Sequence, residues 1–197
     1  MGLGGFLGEP TASDELEKLY ADDLANDGYV WNLTRVWGWC PEVLEAVSDV
    51  LGDVSKALGM DFSDRAVLTL AAASTIEDSY CSLAYGLKSS ETSGEPVTMD
   101  VLSGTEQHLT SRHAGLARWA RKVAGNPNDI HQGDVDELRS LGLDGREIVA
   151  MTVFVALRVA FATVNDALGA APDTELVAQV PTSVRQAVGW GRRPSDS

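Results

Sequence analysis

Apolar positions recur every three or four residues along almost the whole chain, which is the spacing of one face of an α-helix. Leu16, Leu19 and Leu24 share such a face, and a longer stripe runs from Val43 to Val54. No run of alternating apolar and polar residues separates two strand-like segments. The pattern therefore predicts an all-α protein.

Residues that cap or stop helices divide this pattern into elements. We expect Ser63 or Asp64 to cap the third helix, and we expect the Trp-rich segment 29–40 and the polar segment 89–109 to be connectors. The second connector has room for one short helix and can act as a mobile flap. The predicted helices are Ser13 to Asp27, Pro41 to Gly59, Arg65 to about Ser74, Asp78 to Lys88, Thr110 to Gly125, Asp134 to Leu141, about Asp144 to Leu168, and Pro181 to Trp190.

The longest predicted helix is apolar on all sides, from Ile148 to Val164. Such a helix is buried from several directions, either in the core or against another subunit. With 197 residues and 44% hydrophobic content, the chain is expected to form a single domain over residues 1–197. Flexible segments are predicted at residues 1–12 and 191–197.

The charge of the chain limits its partners. A formal net charge of −14 repels nucleic acid and anionic membrane surfaces. The longest apolar run, Met151 to Val164, is interrupted by Arg158 and is too short to cross a bilayer. Because there is no secretory signal and there are only two cysteines, we expect a cytoplasmic protein that binds neither membrane nor nucleic acid.

Candidate chemistry is concentrated in the segment DSYCSLAYGLK. Glu77, Cys81, Tyr85 and Lys88 stand at helical intervals of three and four, so we predict that they share one face. Lys88 can lower the pKa of the Cys81 thiol, and Glu77 or Tyr85 can carry a proton. The alternative is that Cys81 is a small apolar residue packed in the core.

Two further residues have alternative roles. Cys40 is either a distant resolving thiol for Cys81 or a cysteine packed beside Trp37 and Trp39. Arg158 either anchors a substrate carboxylate or forms an ion pair at a subunit contact. No cofactor motif is recognised, and the three histidines lack the spacing of a metal site.

Two stretches carry a family resemblance, DRAVLTLAAASTIEDSYCSLAYGLK and LARWARKVAGNPNDIHQGDVDELRSLGLDGREIVAMTVFVALRVAFATVNDALG. Together they resemble the carboxymuconolactone decarboxylase and alkylhydroperoxidase D family over about residues 41–169. The resemblance implies a helical bundle that assembles into a homo-oligomer, with a trimer or hexamer expected.

The resemblance also implies a redox site that is incomplete here. The redox branch of the family has Cys-x-x-Cys followed by His, with a Glu on the preceding helix. Cys81 matches the first cysteine, whereas Ala84 stands at the second, Lys88 at the histidine and Thr69 at the glutamate. Because Ala84 cannot resolve a sulfenic acid, an external thiol is expected as the reductant.

Three functions follow from this resemblance. The first is a thiol-dependent oxidoreductase or peroxidase with a one-cysteine site. The second is a non-catalytic oligomeric binding or scaffold protein of the same fold, which the loss of three signature residues favours. The third is an acid–base enzyme resembling the decarboxylase branch.

Overall fold

A computed structural model describes residues 5–194, and this part of the chain contains helices and no strand. The all-α prediction is confirmed. The helices are α1 (Asp14–Asn26), α2 (Asn32–Trp37), α3 (Pro41–Ala57), α4 (Phe62–Thr75), α5 (Ser79–Thr92), α6 (Glu95–Ser103), α7 (Ser111–Gly125), α8 (Gln132–Ser140), α9 (Gly145–Leu168), α10 (Thr174–Gln179) and α11 (Thr182–Ala187), with a 3₁₀ turn at Pro127–Asp129.

Local capping explains most of the helix starts. The side chain of Ser13 accepts a hydrogen bond from the backbone N–H of Leu16, and Thr110 does the same for His113. Asp144 and Glu147 form a reciprocal capping box at the start of α9. These caps lie where the sequence predicts them, since each needs only residues within one helical turn.

The structure differs from the prediction at the start of α4 and in the Trp-rich segment. The cap of α4 is Asp61, whose side chain accepts from the backbone N–H of Asp64, so α4 begins at Phe62 instead of Arg65. The Trp-rich segment contains the short helix α2. Trp37 in this helix donates its indole N–H to the buried Asn165 of α9 at 2.8 Å, a contact that the local pattern does not indicate.

The predicted mobile flap is wrong. In segment 89–109, α5 continues to Thr92, and α6 then packs against α4, α5 and α11. Thr98 and Val101 of α6 are fully buried, and Thr98 donates a hydrogen bond to Ser89 of α5 at 2.8 Å. A helix buried in this way forms part of the core.

α4 lies at the centre of the molecule and packs against α5, α6, α7 and α9. Leu68 and Leu70 are fully buried, and the small residues from Ala71 to Ala73 allow neighbouring helices to approach closely. A single large cluster of buried side chains extends from Val36 to Val184. This core brings α4, α5 and α9 together, and these three helices hold the candidate site.

Parts of the two segments predicted to be flexible make contacts with the core. The backbone N–H of Phe6 donates to the carbonyl of Leu168 at 2.9 Å. Arg192 lies over the ring of Phe6 and donates to the carbonyl of Asp166 at 2.7 Å. Residues 1–4 and 195–197 lie outside the described residues.

α9 is the one helix within residues 5–194 that is long and apolar enough to cross a membrane. Core helices of soluble proteins meet the same criteria, and α9 packs against α2, α3, α4 and α7. One face of α9 is nevertheless open, since Val149 is 64% exposed and Val153 is 40% exposed. The expectation that the apolar stretch is too short to cross a bilayer holds for the run from Met151 to Val164 but not for α9 as a whole. The prediction that this helix is covered on several sides is met on the side that faces the core.

Candidate active site

Cys81 is the third residue of α5 and is only 4% exposed. It lies in a small apolar cluster with Ala73 of α4 and Ala162 of α9, against which Ile76 and Phe161 pack. The sulfur therefore stands where three helices meet. Burial agrees with the interpretation of Cys81 as a core residue, but the polar groups around it distinguish this position from an ordinary apolar core.

The turn from α4 to α5 positions Asp78 beside the cysteine. Glu77 adopts φ of 59°, which makes it the one non-glycine residue with positive φ in the described chain. Left-handed backbone is costly for a residue with a side chain, and such strain is often retained at functional sites. Asp78 follows as the N-cap of α5 and accepts from the backbone N–H groups of Tyr80 and Cys81 at 2.9 and 3.2 Å.

Arg158 of α9 reaches the sulfur from the other side. Its Nη2 atom lies 3.9 Å from Sγ of Cys81. The guanidinium also lies over the ring of Tyr85, 4.7 Å from the centroid, and over that of Phe161 at 5.4 Å. Contacts of a cation with two aromatic faces hold the guanidinium between α5 and α9.

A narrow pocket beside Cys81 contains three polar atoms with no hydrogen-bond partner in the described chain. They are Oγ1 of Thr69, Oδ2 of Asp78 and Nε of Arg158. The pocket has no room for a water molecule in this conformation. Buried polar atoms are normally paired, so three unpaired ones around a single sulfur need an explanation such as a catalytic role.

The surroundings of Cys81 keep its thiol protonated. Burial, followed by the negative charge of Asp78, raises the pKa of the thiol well above its usual range, and the Arg158 guanidinium opposes this effect. Burial also raises the pKa of the Asp78 carboxyl, which makes it a better proton acceptor. Asp78 and Cys81 thus form a pair in which the carboxylate can take the thiol proton.

A second carboxyl lies near this pair. Burial and the charge of Asp78 raise the pKa of Asp166 to about 6, while Arg192 opposes the increase. Asp166 belongs to α9, two turns after Arg158. Asp166 can therefore accept and return a proton near neutral pH.

An open cleft of about 530 Å³ ends at Arg158. Its walls include the apolar side chains of Leu51, Met60 and Phe154 and the aromatic ring of Tyr85. The cleft is large enough for a small organic molecule, and Arg158 is the one described residue that lines both the cleft and the narrow pocket of Cys81.

Comparisons with solved structures reveal the same arrangement of helices elsewhere. An uncharacterized peroxidase-related protein from Silicibacter sp. TM1040 superposes with a TM-score of 0.76 at 21% identity, over 90% of this chain and 96% of that chain. The alkylhydroperoxidase AhpD core of an uncharacterized peroxidase-related protein from Ralstonia eutropha JMP134 superposes with a TM-score of 0.74 at 17% identity, over 91% of this chain and 98% of that chain.

The chain has the alkylhydroperoxidase D-like fold. The superposed region is longer than residues 41–169, the range of the sequence resemblance. A cysteine-to-alanine variant of the debrominase Bmp8, in complex with 2,3,4-tribromopyrrole, also has this fold, with a TM-score of 0.68 at 14% identity over 87% of this chain and 94% of that chain. No family model and no curated protein matches the sequence.

Within the alkylhydroperoxidase D-like fold, three of the predicted site residues meet. Arg158 contacts both Cys81 and Tyr85, and Tyr85 and Arg158 also line the cleft. Thr69, at the position that the family resemblance gives to a glutamate, lines the pocket of Cys81. The cation beside the sulfur is Arg158, 77 positions away in the sequence. The alternative of an ion pair for Arg158 at a subunit contact stays a prediction.

The structure separates the other two predicted residues from the sulfur. α5 begins at Ser79, so the prediction that Glu77 shares a helix face with Cys81 is wrong, and Glu77 is exposed. Lys88 is exposed on α5, about 10 Å further along the helix axis than Cys81. It has no hydrogen bond or ion pair within the described chain that would direct it toward the thiol.

The other candidates do not add to the site. Cys40 and Cys81 are both free cysteines, and Cys40 is exposed rather than packed in the core. His108 pairs with Asp100, and His113 lies near Asp64. Among residues 5–194, no group of three or more His, Cys, Asp or Glu side chains is placed to hold a metal ion.

Asp78 and Asp166 were not among the predicted site residues. Asp78 had a local signal, because an aspartate at the start of a predicted helix is a typical N-cap. The carboxylate of an N-cap residue lies near the third residue of its helix, which here is Cys81. Asp166 had no comparable signal. Its position near Cys81 results from the packing of α9 against α4, which no local pattern indicates.

Proposed function

We propose that the protein is a thiol-dependent oxidoreductase that reduces small organic hydroperoxides at Cys81. The observation that supports this proposal most directly is the position of Cys81 beside both the Arg158 guanidinium and the Asp78 carboxyl, in a narrow pocket that shares Arg158 with the cleft. The fold of peroxidase-related proteins is consistent with it. The substrate enters the cleft, and a small shift of the Arg158 side chain that leaves its guanidinium beside Sγ admits the peroxide group.

The first half of the reaction oxidises the cysteine. Asp78 accepts the thiol proton, and the resulting thiolate is stabilised by the guanidinium of Arg158. The sulfur attacks the terminal oxygen of the hydroperoxide, an S–O bond forms and the O–O bond breaks. The leaving alkoxide takes the proton from Asp78, so the products are an alcohol and a sulfenic acid on Cys81.

The second half needs two external thiols, because Ala84 stands where a resolving cysteine would be and Cys40 is exposed on the surface. The first thiol attacks the sulfenic sulfur and releases water, which leaves a mixed disulfide. The second thiol attacks this disulfide and restores the Cys81 thiol, and the two external thiols leave as a disulfide.

The test is hydroperoxide consumption with cumene hydroperoxide and dithiothreitol. The parent should consume the hydroperoxide, the Cys81→Ser variant should lose at least about 95% of the activity above background, and Cys40→Ser should retain it. The Cys40 variant is a matched control, since it also removes one thiol. Equal activity in the parent and the Cys81 variant would contradict the proposal.

One observation favours a second candidate, a non-catalytic binding protein of the same fold. The thiol of Cys81 is held protonated, and neither Lys88 nor Glu77 lies beside it. An inert Cys81 thiol, with saturable binding of small organic molecules in the cleft, would support this candidate over the oxidoreductase.

A further inference from the structure

A second pocket, of about 310 Å³, lies between the start of α5 and the chain segment that follows α11. Its walls include Ser79, Leu83, Arg185, Trp190 and Arg193. It shares no lining residue with the cleft of the proposed active site. We refer to it as the C-terminal pocket.

The unpaired polar groups of the C-terminal pocket are all hydrogen-bond donors. The indole Nε1 of Trp190 and the Nε of Arg192 are buried, and neither has a hydrogen-bond partner within residues 5–194. Arg185 and Arg193 form no ion pair within the same range. Because buried donors are costly without an acceptor, the pocket is suited to a molecule that supplies acceptor oxygens.

The charge distribution of the whole chain makes this cluster unusual. The sequence has 29 acidic residues and 15 Lys and Arg residues, and seven of these 15 form an ion pair with a carboxylate within residues 5–194. Arg112 pairs with Asp64, and Arg118 pairs with Glu106 and Glu137.

The described lining of the C-terminal pocket contains three arginines and no Asp or Glu. Arg192 lies close enough to Asp166 to lower the pKa of that carboxyl, whereas Arg185 and Arg193 form no ion pair within residues 5–194.

The remaining wall of the pocket is apolar. Leu83 of α5, Val177 of α10 and Val188 line it together with the ring of Trp190. Arg192 is fixed by its bond to the carbonyl of Asp166, and its own carbonyl accepts from the hydroxyl of Ser79 at 2.8 Å. The segment that carries the donors is therefore tied to α5 and α9, and the pocket is formed before any ligand arrives.

We propose that the C-terminal pocket binds a small organic anion, a carboxylate or phosphate carried on an apolar body. The guanidinium groups of Arg185 and Arg193 and the indole N–H of Trp190 bind the anionic oxygens. Leu83, Val177 and Val188 contact the apolar body. Anion binding in this pocket does not depend on the reaction at Cys81, so the two proposals are tested separately.

The experiment is isothermal titration calorimetry of the full chain with benzoate and phenyl phosphate, with phenol as the uncharged probe of similar size. We expect saturable binding of at least one anion below about 10 mM, at least about tenfold tighter than that of phenol. Affinity should fall as salt is added, because the attraction is electrostatic. Binding of phenol as tightly as both anions, or no saturable anion binding in this range, would overturn the proposal.

Variants then locate the binding. Arg185→Gln and Arg193→Gln should each weaken anion binding about tenfold, and Trp190→Phe should weaken it about threefold by removing one N–H donor. Arg146→Gln is the matched control, since Arg146 is exposed on α9 and does not line the pocket. An equal loss in Arg146→Gln would show that net charge alone drives binding and would overturn the proposal.

Discussion

At the scale of single residues, the reactivity of Cys81 depends on its burial and on charges contributed by two other parts of the chain. Asp78 comes from the turn before α5, and Arg158 and Asp166 come from α9. The carboxylates raise the pKa of the thiol and the guanidinium lowers it. Replacing one charge at a time, with shape kept as constant as possible, separates these opposing effects.

The Asp78→Asn variant tests the role of the carboxylate. An asparagine can still cap α5, so the fold should be retained. Loss of the negative charge should lower the pKa of the Cys81 thiol, and alkylation by iodoacetamide at pH 8 should become about threefold to tenfold faster. Hydroperoxide turnover should fall, since the proton acceptor is lost.

This opposite change in alkylation and turnover is not expected from a purely structural residue. Asp61→Asn is the matched control, because Asp61 caps α4 in the same way and is not among the groups that shift the pKa of Cys81. An unchanged alkylation rate in Asp78→Asn would contradict the assigned charge effect.

Asp166 predicts a dependence of stability on pH. Its pKa is raised to about 6 in the folded state, so between about pH 4 and pH 6 the folded state binds more protons than the unfolded state. Stability therefore decreases as the pH rises through this range. The Asp166→Asn variant cannot ionise at this position, so its stability should not decrease in this way. Its free energy of unfolding should exceed that of the parent at pH 8 but not at pH 4.

Because the side chain is partly exposed, we expect a gain of about 1 kcal/mol at pH 8. This corresponds to about 2–4 °C in melting temperature, measured by circular dichroism at several pH values. Asp22→Asn, at an exposed position of α1, should show no such pH-dependent gain. A difference between parent and Asp166→Asn that is the same at pH 4 and pH 8 would refute the linkage.

At the scale of the elements, the helices around the site approach one another closely because small residues stand at their contacts. The Ala71 to Ala73 stretch of α4 lies next to α5 and α9. Gly86 of α5 faces α11, where Val184 is fully buried. α6 packs against α4, α5 and α11, although its polar sequence predicts a connector.

The contact between α5 and α11 predicts that a methyl group added at Gly86 lowers the stability of the protein. A Cβ at Gly86 would lie 2.7 Å from Cγ1 of Val184, and the branched valine has little freedom to move away. Gly86→Ala should therefore lower the free energy of unfolding by about 1–3 kcal/mol, measured by urea denaturation.

Gly52→Ala in α3 is the matched control. Nothing lies within 4 Å of a Cβ at Gly52, so the same substitution should stabilise the protein there by about 0.5–1 kcal/mol. If both variants were stabilised, the close approach of α5 and α11 would not hold in solution.

At the scale of the whole molecule, the open face of α9 remains to be explained. Val149 and Val153 are exposed, and neighbouring positions on that face, Ala156 and Ala160, are exposed and uncharged. From Val149 to Ala160 this face carries no charge, and in a chain with a net charge of −14 such a surface is where two copies can approach with least repulsion. We propose that a second copy of the chain covers this face in a homo-oligomer.

Size-exclusion chromatography with light scattering tests this assembly. The parent should have the mass of an oligomer, and the double variant Val149→Lys with Val153→Lys should shift to the mass of the monomer, 21.0 kDa. Leu24→Lys, at an apolar position of α1 that is 54% exposed, should leave the mass unchanged. A monomeric parent would disprove the proposed assembly.

The sequence by itself determined the helical fold class, most helix boundaries and the segment that contains Cys81. Ser13, Thr110 and Asp144 mark helix starts because their capping hydrogen bonds join residues within one turn. The tertiary structure decided which groups surround the sulfur. Thr69, Asp78 and Arg158 come from different elements, and only helix packing brings them together. It also decided that α6 is a buried helix, because burial of Thr98 and Val101 depends on neighbours distant in the sequence.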